Sequence, residues 1–259
     1  MERNIMRYLI KFSYDGTNYH GYQTQNGYRT IQQTMEEAAT KINNGKKVII
    51  TASGRTDRGV HALGQLAHLD IDVKITPYKL KRAMNTNLPE DIHIISAEEV
   101  EDNFHCRYQA KEKEYEYRIN MGEYNPLRRN YVYQHNYPLQ VDKMEQAIHY
   151  LEGKHDFRAF VTDNKEKENC VRTIKKAMVT KDSTNQEELV ITFIGDGFLR
   201  YQVRNMVGLL LKVGIGKIEP LQVKEILDSK VRGKHGCRVP ACGLCLKNVV
   251  LKPKIEIID

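Results

Sequence analysis

The segment Ser53 to Gln65, SGRTDRGVHALGQ, limits how this chain can fold more than any other. It is polar, and Gly54, Gly59 and Gly64 punctuate it. A β-branched run, Lys47 to Thr51 (KVIIT), precedes it, and an alternating stretch, Gln65 to Val73 (QLAHLDIDV), follows. Glycine opens backbone conformations closed to other residues, so this pattern predicts two strands joined by a tight loop. One carboxylate, Asp57, lies in the loop with Arg55 and Arg58 within two positions. Nearby positive charge favours the ionised form of an acid. That is how a protein holds an Asp as a nucleophile. The spacing equally fits a plain strand connection in which Asp57 pairs with its neighbours for structure alone.

The same alternation of strand and helix patterns runs through the chain. Arg7 to Tyr14 alternates as a strand. Thr30 to Ile42 carries Ile31, Met35, Ala38, Ala39 and Ile42 at helical spacing. Pro77 to Met84 predicts a helix with Thr76 as its cap and proline in its first turn. Asp91 to Ala97 is strand-like. Further on, Lys113 to Ile119, Val171 to Thr180, Glu188 to Ile194 and Gly243 to Leu251 read as strands. Val141 to Leu151, Tyr201 to Val213 and Pro220 to Leu227 read as helices, the first with Met144, Ala147, Ile148 and Leu151 on one face. A chain of 259 residues can bury one large core or two modest ones. There is no Pro- or Ser-rich linker and no internal repeat, so two strand–helix modules sharing one sheet is the economical architecture. The expected division is residues 1–105, which hold the Asp57 loop, and residues 106–259.

Charge is divided unevenly between those halves. Residues 1–105 hold 13 Lys+Arg against 13 Asp+Glu, and residues 106–259 hold 27 against 20, which is the whole excess of +7. A basic half with interleaved tyrosines suits a polyanion with exposed bases, because cations neutralise phosphates and aromatic rings stack on bases. Solvated surface charge would give the same net value. No apolar run approaches the ~20 residues of a membrane span. The N-terminus reads directly into strand-like alternation, so no signal peptide is expected. Five cysteines, an odd number with three near the end, do not form a disulfide framework. A cytoplasmic protein is expected.

GRTD followed by GVHA resembles the signature of the tRNA pseudouridine synthase A family. Other segments fall in that family's order: YDGTNYHGYQTQ (Tyr14 to Gln25), RTIQQTMEEA (Arg29 to Ala38), NTNLPEDI (Asn85 to Ile92), FHCRYQAKEKEYEY (Phe104 to Tyr117), GKHDFRAF (Gly153 to Phe160), VRTI (Val171 to Ile174), VRNMVG (Val203 to Gly208) and PACGLCL (Pro240 to Leu246). The resemblance spans Tyr8 to Val250. It implies an α+β fold of two ferredoxin-like halves around a central, mainly antiparallel sheet flanked by helices, with the active-site cleft between the halves. It implies isomerisation of uridine to pseudouridine in the anticodon stem-loop of tRNA, by a homodimer. An isomerisation of this kind requires no ATP, metal or redox cofactor.

The resemblance also assigns roles. Asp57 is the nucleophile. Arg55 contacts the RNA beside the target, where its planar guanidinium can fill the space a flipped base leaves. Tyr115 and Tyr117 are expected to divide between the two sides of their strand, with Tyr117 in the core and Tyr115 in the cleft, stacking on the target uracil and moving its C5 proton. Arg204 lies in an apolar helix, where a charge needs a partner; the family supplies Asp57. Leu244 is an apolar floor beneath the base. Phe104, Arg107 and Tyr108 match one RNA-touching segment, and Lys165, Lys167 and Arg172 match a second. Three departures stand out. Tyr22 occupies a position where the family usually has Trp, Arg58 one where Ala is usual, and Arg200, Tyr201 and Gln202 differ from the usual residues before VRN. They leave Asp57, Arg55, Tyr115 and Arg204 intact and bear on which RNA is chosen, a ribosomal RNA being the alternative substrate.

Two rival readings compete. His235, Cys237, Cys242 and Cys245 form H-x-C-x4-C-x2-C, a possible zinc set. A zinc nucleobase deaminase would add an H-x-E, but His61-Ala62-Leu63 lacks the glutamate. Ser53, Asp57 and His61 make no hydrolase triad without a nucleophile elbow. A non-catalytic RNA-binding module would keep the basic half and the tyrosines but would have no use for Asp57 bracketed by arginines.

Overall fold

Strands and helices follow the period-2 and period-3.6 patterns closely in a computed structural model that describes residues 5–161, 169–234 and 236–253. The chain forms two units. One runs to Glu112 and is rejoined by the segment from Leu246; the other spans Lys113 to Cys245. The first contains β1 (Met6–Tyr14), α1 (Ile31–Ile42), β2 (Ile50–Ala52), β3 (His61–Ile71), α2 (Pro77–Asn87), β4 (Ile92–Val100) and a single turn, α3 (Cys106–Gln109). The second contains β5 (Ala110–Asn120), β6 (Tyr133–Gln134), α4 (Val141–Ile148), β7 (Gly153–Asp156), β8 (Val171–Lys181), β9 (Glu188–Gly195), α5 (Gln202–Gly214) and α6 (Leu221–Ser229). The closing strand β10 (Leu244–Leu251) returns to the first unit.

In the first unit the strands lie in the order β4-β1-β3-β10, with β2 also on β3. The β1–β3, β1–β4 and β2–β3 pairs are antiparallel. In the second the order is β5-β9-β8-β7, again antiparallel, with short β6 parallel to β5. The fold is therefore α+β, built on mainly antiparallel sheet with helices beside it. Among the described residues no helix is long and apolar enough to cross a membrane.

Local chemistry explains the element ends. The Thr30 hydroxyl accepts from the Gln33 N–H at the start of α1, and Thr76 accepts from Lys79 at the start of α2, where Pro77 occupies the first turn. The α1 stripe buries Ile31, Met35, Ala38 and Ala39. Of the α4 stripe, Met144, Ala147 and Ile148 are fully buried, and Leu151 follows in a 3-10 turn, His149–Leu151. In α5 every residue except Arg204 and Lys212 is buried, which marks a core helix. Each large apolar side chain buried there contributes roughly 1.5–3 kcal/mol.

Three expectations change. The strand expected over Lys47 to Thr51 shrinks to Ile50–Ala52, because Val48 is instead held by the Thr40 hydroxyl (3.1 Å). The second strand begins at His61, inside the expected loop, since β3 needs its first residues to pair with Tyr14 of β1. Tyr115 and Tyr117 share one face of β5. Both are buried, as is Ile119 two residues on, while Glu114, Glu116 and Arg118 take the other face. Residues two apart on a pleated strand point the same way, so the two tyrosines could not divide between its sides.

Candidate active site

Asp57 lies on a turn between β2 and β3 that the rest of its unit holds at several points. Ser53 donates its N–H to the Leu66 carbonyl (2.8 Å) and its hydroxyl to Gln65 Oε1 (2.8 Å). Gln65, fully buried, donates back to the Gly54 carbonyl (3.0 Å). The Thr56 hydroxyl meets the Tyr14 hydroxyl (2.8 Å), and the Thr56 carbonyl accepts from Tyr22 (3.1 Å). The turn closes on itself where the Val60 N–H reaches the Asp57 carbonyl (3.1 Å). The chain at Asp15 to Tyr22 lies against it. A Cβ added at Gly16 would stand 2.1 Å from the Val60 carbonyl oxygen, so the approach requires glycine. The Gly16 N–H donates to His61 Nδ1 (3.1 Å). His61 Nδ1 also lies 3.1 Å from the Asp15 carboxylate, so Ser53 and His61 both tie the turn to its surroundings. Asp57 is half-buried, and Arg55 and Arg58 on either side are exposed.

The Phe104 to Tyr108 segment belongs to the same unit. Arg7, paired with Asp70 (2.7 Å), donates to the Phe104 carbonyl (2.9 Å). Tyr108 is exposed and stacks on His105 at 4.2 Å; Arg107 is exposed. Beneath them, His68 accepts from the Cys106 N–H (3.2 Å). Burial, and then the charges of Arg7 and His105, push the His68 imidazole down from 6.5 to about 4. Tyr22 packs its ring 6.4 Å from Phe12. Its buried hydroxyl has no hydrogen-bond partner among the described residues.

In the second unit, Tyr115 is buried and meets Phe198 edge-on at 5.3 Å. Arg204, in the first turn of α5, donates its Nε to the Val239 carbonyl (2.9 Å). The next carbonyl, of Pro240, accepts from the Tyr117 hydroxyl (2.8 Å). Consecutive peptide carbonyls thus hold Arg204 and Tyr117. Burial pushes the Tyr117 hydroxyl well above its usual range; Cys242 adds to that, and the Arg204 charge opposes it. Leu244, buried, opens β10 just after a 3-10 turn at Ala241–Gly243. Arg172 folds over its own backbone, donating to the Val171 carbonyl (2.6 Å). Lys165, Lys167 and His235 lie outside the described residues. Among the described residues no three His, Cys, Asp or Glu side chains are grouped to hold a metal; Cys237 is exposed, and Cys242 and Cys245 are partly so.

Two side chains that the sequence analysis did not assign to the site cluster around Arg204: Tyr201 and Arg238. Tyr201 was marked only as a departure before VRN, and Arg238 carried no sequence signal, since its part depends on a segment far along the chain.

One unit thus presents a half-buried carboxylate on a turn between exposed arginines, and the other an arginine bonded to the Val239 carbonyl at the start of α5. Residues 10–109 and 147–250 match a family model described as tRNA pseudouridine synthase, and the chain belongs to that family. It is 45% identical over 246 residues to the tRNA pseudouridine synthase A of Streptococcus pyogenes serotype M49 (strain NZ131), covering 95% of this chain and 98% of that one. It has the same identity and coverage with the protein of that name from Streptococcus pyogenes serotype M1. Among solved structures, the crystal structure of a Cbf5-Nop10-Gar1 complex aligns with a TM-score of 0.33 and 13% identity, over 83% of this chain and 55% of that one.

Proposed function

We propose that this chain isomerises uridine to pseudouridine in the anticodon stem-loop of tRNA, with Asp57 as the nucleophile, as a cytoplasmic homodimer. The observation that carries the nucleophile is the built turn. The turn that carries the half-buried Asp57 is tied down by the bonds of Ser53 and Gln65 and by the Val60 N–H on the Asp57 carbonyl, with Arg55 and Arg58 on either side in sequence. Neighbouring positive charge keeps such a group ionised and therefore nucleophilic.

In this reading the uridine leaves its stack, at a cost of a few kcal/mol that phosphate and stacking contacts offset. The carboxylate attacks the ribose carbon that bears the base as the C–N bond between uracil and ribose breaks, and it is displaced again when C5 of the turned base bonds to that carbon. The base turns, C5 bonds to the sugar, the C5 proton leaves and N1 takes one up, so atoms balance without a co-reactant. Tyr115 stacks on the uracil and passes the C5 proton on as its hydroxyl gives up its own, and Leu244 is the apolar floor. Arg204 is the cation assigned to the Asp57 carboxylate. Arg55 occupies the space the flipped base leaves. Arg107, Tyr108, Phe104, Arg172, Lys165 and Lys167 contact the RNA around it.

Pseudouridine mapping of tRNA and ribosomal RNA, from cells with and without this chain, tests the substrate. Loss confined to tRNA anticodon stem-loops is the expected result. Loss confined to ribosomal RNA moves the same chemistry to another substrate, and no loss anywhere leaves an RNA-binding protein.

A further inference from the structure

The segment Cys237 to Val239 is laid directly on α5, and three contacts at successive heights fix it there. A Cβ added at Gly208 would stand 2.1 Å from the Cys237 carbonyl oxygen, so only a bare backbone lets the strap approach. One turn earlier, Arg238 Nε donates to Asn205 Oδ1 (3.3 Å). Asn205 is fully buried and is itself anchored through its Nδ2 to the Phe160 carbonyl (2.7 Å). At the next position Val239 and Arg204 exchange two bonds, Arg204 Nε to the Val239 carbonyl (2.9 Å) and the Val239 N–H to the Arg204 carbonyl (3.4 Å). Tyr201 completes the arrangement. It caps α5 in the left-handed conformation, at φ 63°. The Arg238 guanidinium lies 3.5 Å from the centre of its ring, and the Arg204 guanidinium 5.8 Å from it.

We propose that Arg238 is a positioning residue for Arg204, acting through the Tyr201 ring and the Val239 carbonyl. The inference rests on the reading of Arg204 as partner of the reacting carboxylate. An arginine side chain has many rotamers, and holding it in one requires fixed partners. Two of the partners of Arg204 are the Tyr201 ring and the Val239 carbonyl, and Arg238 bears on both: it stacks on the ring, and its bond to Asn205 ties the segment that carries Val239 to α5. Bringing three guanidinium groups to one ring, that of Arg200 also lying 4.7 Å from its centre, is unfavourable for like charges. The π-face of Tyr201 and the buried oxygen of Asn205 offset that cost. The arrangement presents Arg204 in a set direction before RNA arrives, and preorganisation of this kind acts on rate rather than on affinity.

The test uses the purified full chain and a tRNA transcript, with single-turnover rate and binding measured separately. Arg238→Ala is expected to lose about tenfold or more in single-turnover rate with affinity within about twofold of the parent. Tyr201→Leu should lose a similar factor, and Tyr201→Phe should regain most of it. In an Arg204→Lys background, Arg238→Ala should cost nothing further, because residues acting through one group are not additive. Should Arg238→Ala fail to fold, Arg238→Lys, which keeps the charge but not the planar stack, carries the same expectation. A loss in affinity alone, with a shallower salt dependence, would make Arg238 a phosphate contact and overturn the proposal, as would fully additive losses. If Arg204→Lys is slow and Arg238→Ala is not, the proposal alone fails. If Arg204→Lys keeps the parental rate, the reading of Arg204 fails and takes the proposal with it.

Discussion

In the first unit, backbone amides and neutral side chains hold the Asp57 turn at several points: Ser53 and Gln65 at one end, Tyr14 on Thr56, and the Gly16 backbone against Val60. Arg55 and Arg58 stand exposed. In the second unit, Arg204 meets a carbonyl and an aromatic ring over which Arg200 and Arg238 also lie. The contrast follows from what each site must carry. A short carboxylate side chain has little freedom of its own, so placing it means placing the backbone beneath it. A guanidinium at the end of a long flexible stem gains little from a rigid backbone; its tip has to be gripped. Substitutions should therefore act through backbone fit in the first unit and through side-chain partners in the second.

The largest effect should come from Asp57→Asn. It preserves shape and removes the nucleophile, so pseudouridine formation should fall by about a thousandfold or more with melting temperature and RNA affinity nearly unchanged. Appreciable turnover by this variant would break the assignment. Next is Gly16→Ala. A Cβ placed 2.1 Å from the Val60 carbonyl has to push the turn away, since neither side of the contact is a movable side chain. A loss of roughly 3 kcal/mol or more in urea melts is expected, with activity falling alongside. A stable, active variant would show that the turn is not backbone-tuned.

A third test uses pH. Burial holds His68 at about 4 in the folded chain against 6.5 for the free side chain. Between those values the unfolded chain binds a proton that the folded chain does not, so stability rises with pH across that window and is full above it. Melts at pH 7 and pH 4.5 should show a drop that His68→Asn, which can still accept from Cys106 but does not titrate there, makes smaller. An unchanged drop would remove His68 from the account. Fourth, Arg107→Ala in the first unit and Arg172→Ala in the second should each lower the log–log salt slope of RNA binding by about one unit. An effect from only one of them would assign the phosphate contacts to one unit. The smallest effect is expected for Tyr22→Phe. It deletes a buried hydroxyl that has no partner among the described residues, so stability should hold or rise by about 1 kcal/mol. A clear loss would mean that the hydroxyl has a partner.

What the sequence by itself determined is whatever depends on neighbours along the chain. Thr30, Thr76 and Pro77 mark helix starts because capping is a matter of three or four residues. The α4 stripe and the apolar run of α5 locate buried faces by periodicity alone. GRTD with GVHA, supported by the ordered segments around it, carried the family. The shared face of Tyr115 and Tyr117 was also legible from the pleat, and the expectation that they divide ran against that local rule. Tertiary structure alone decided the rest. That β3 begins at His61 follows from pairing with Tyr14, and that β2 is short follows from the Thr40 bond to Val48. Gly16 matters because Val60 lies against it, and Gly208 because Cys237 does. Arg238, 34 residues beyond Arg204, stacks on Tyr201 only because the strap folds back over α5. Contacts between residues so far apart leave no period or spacing in the chain, because they arise when separate elements pack and exclude water from between them.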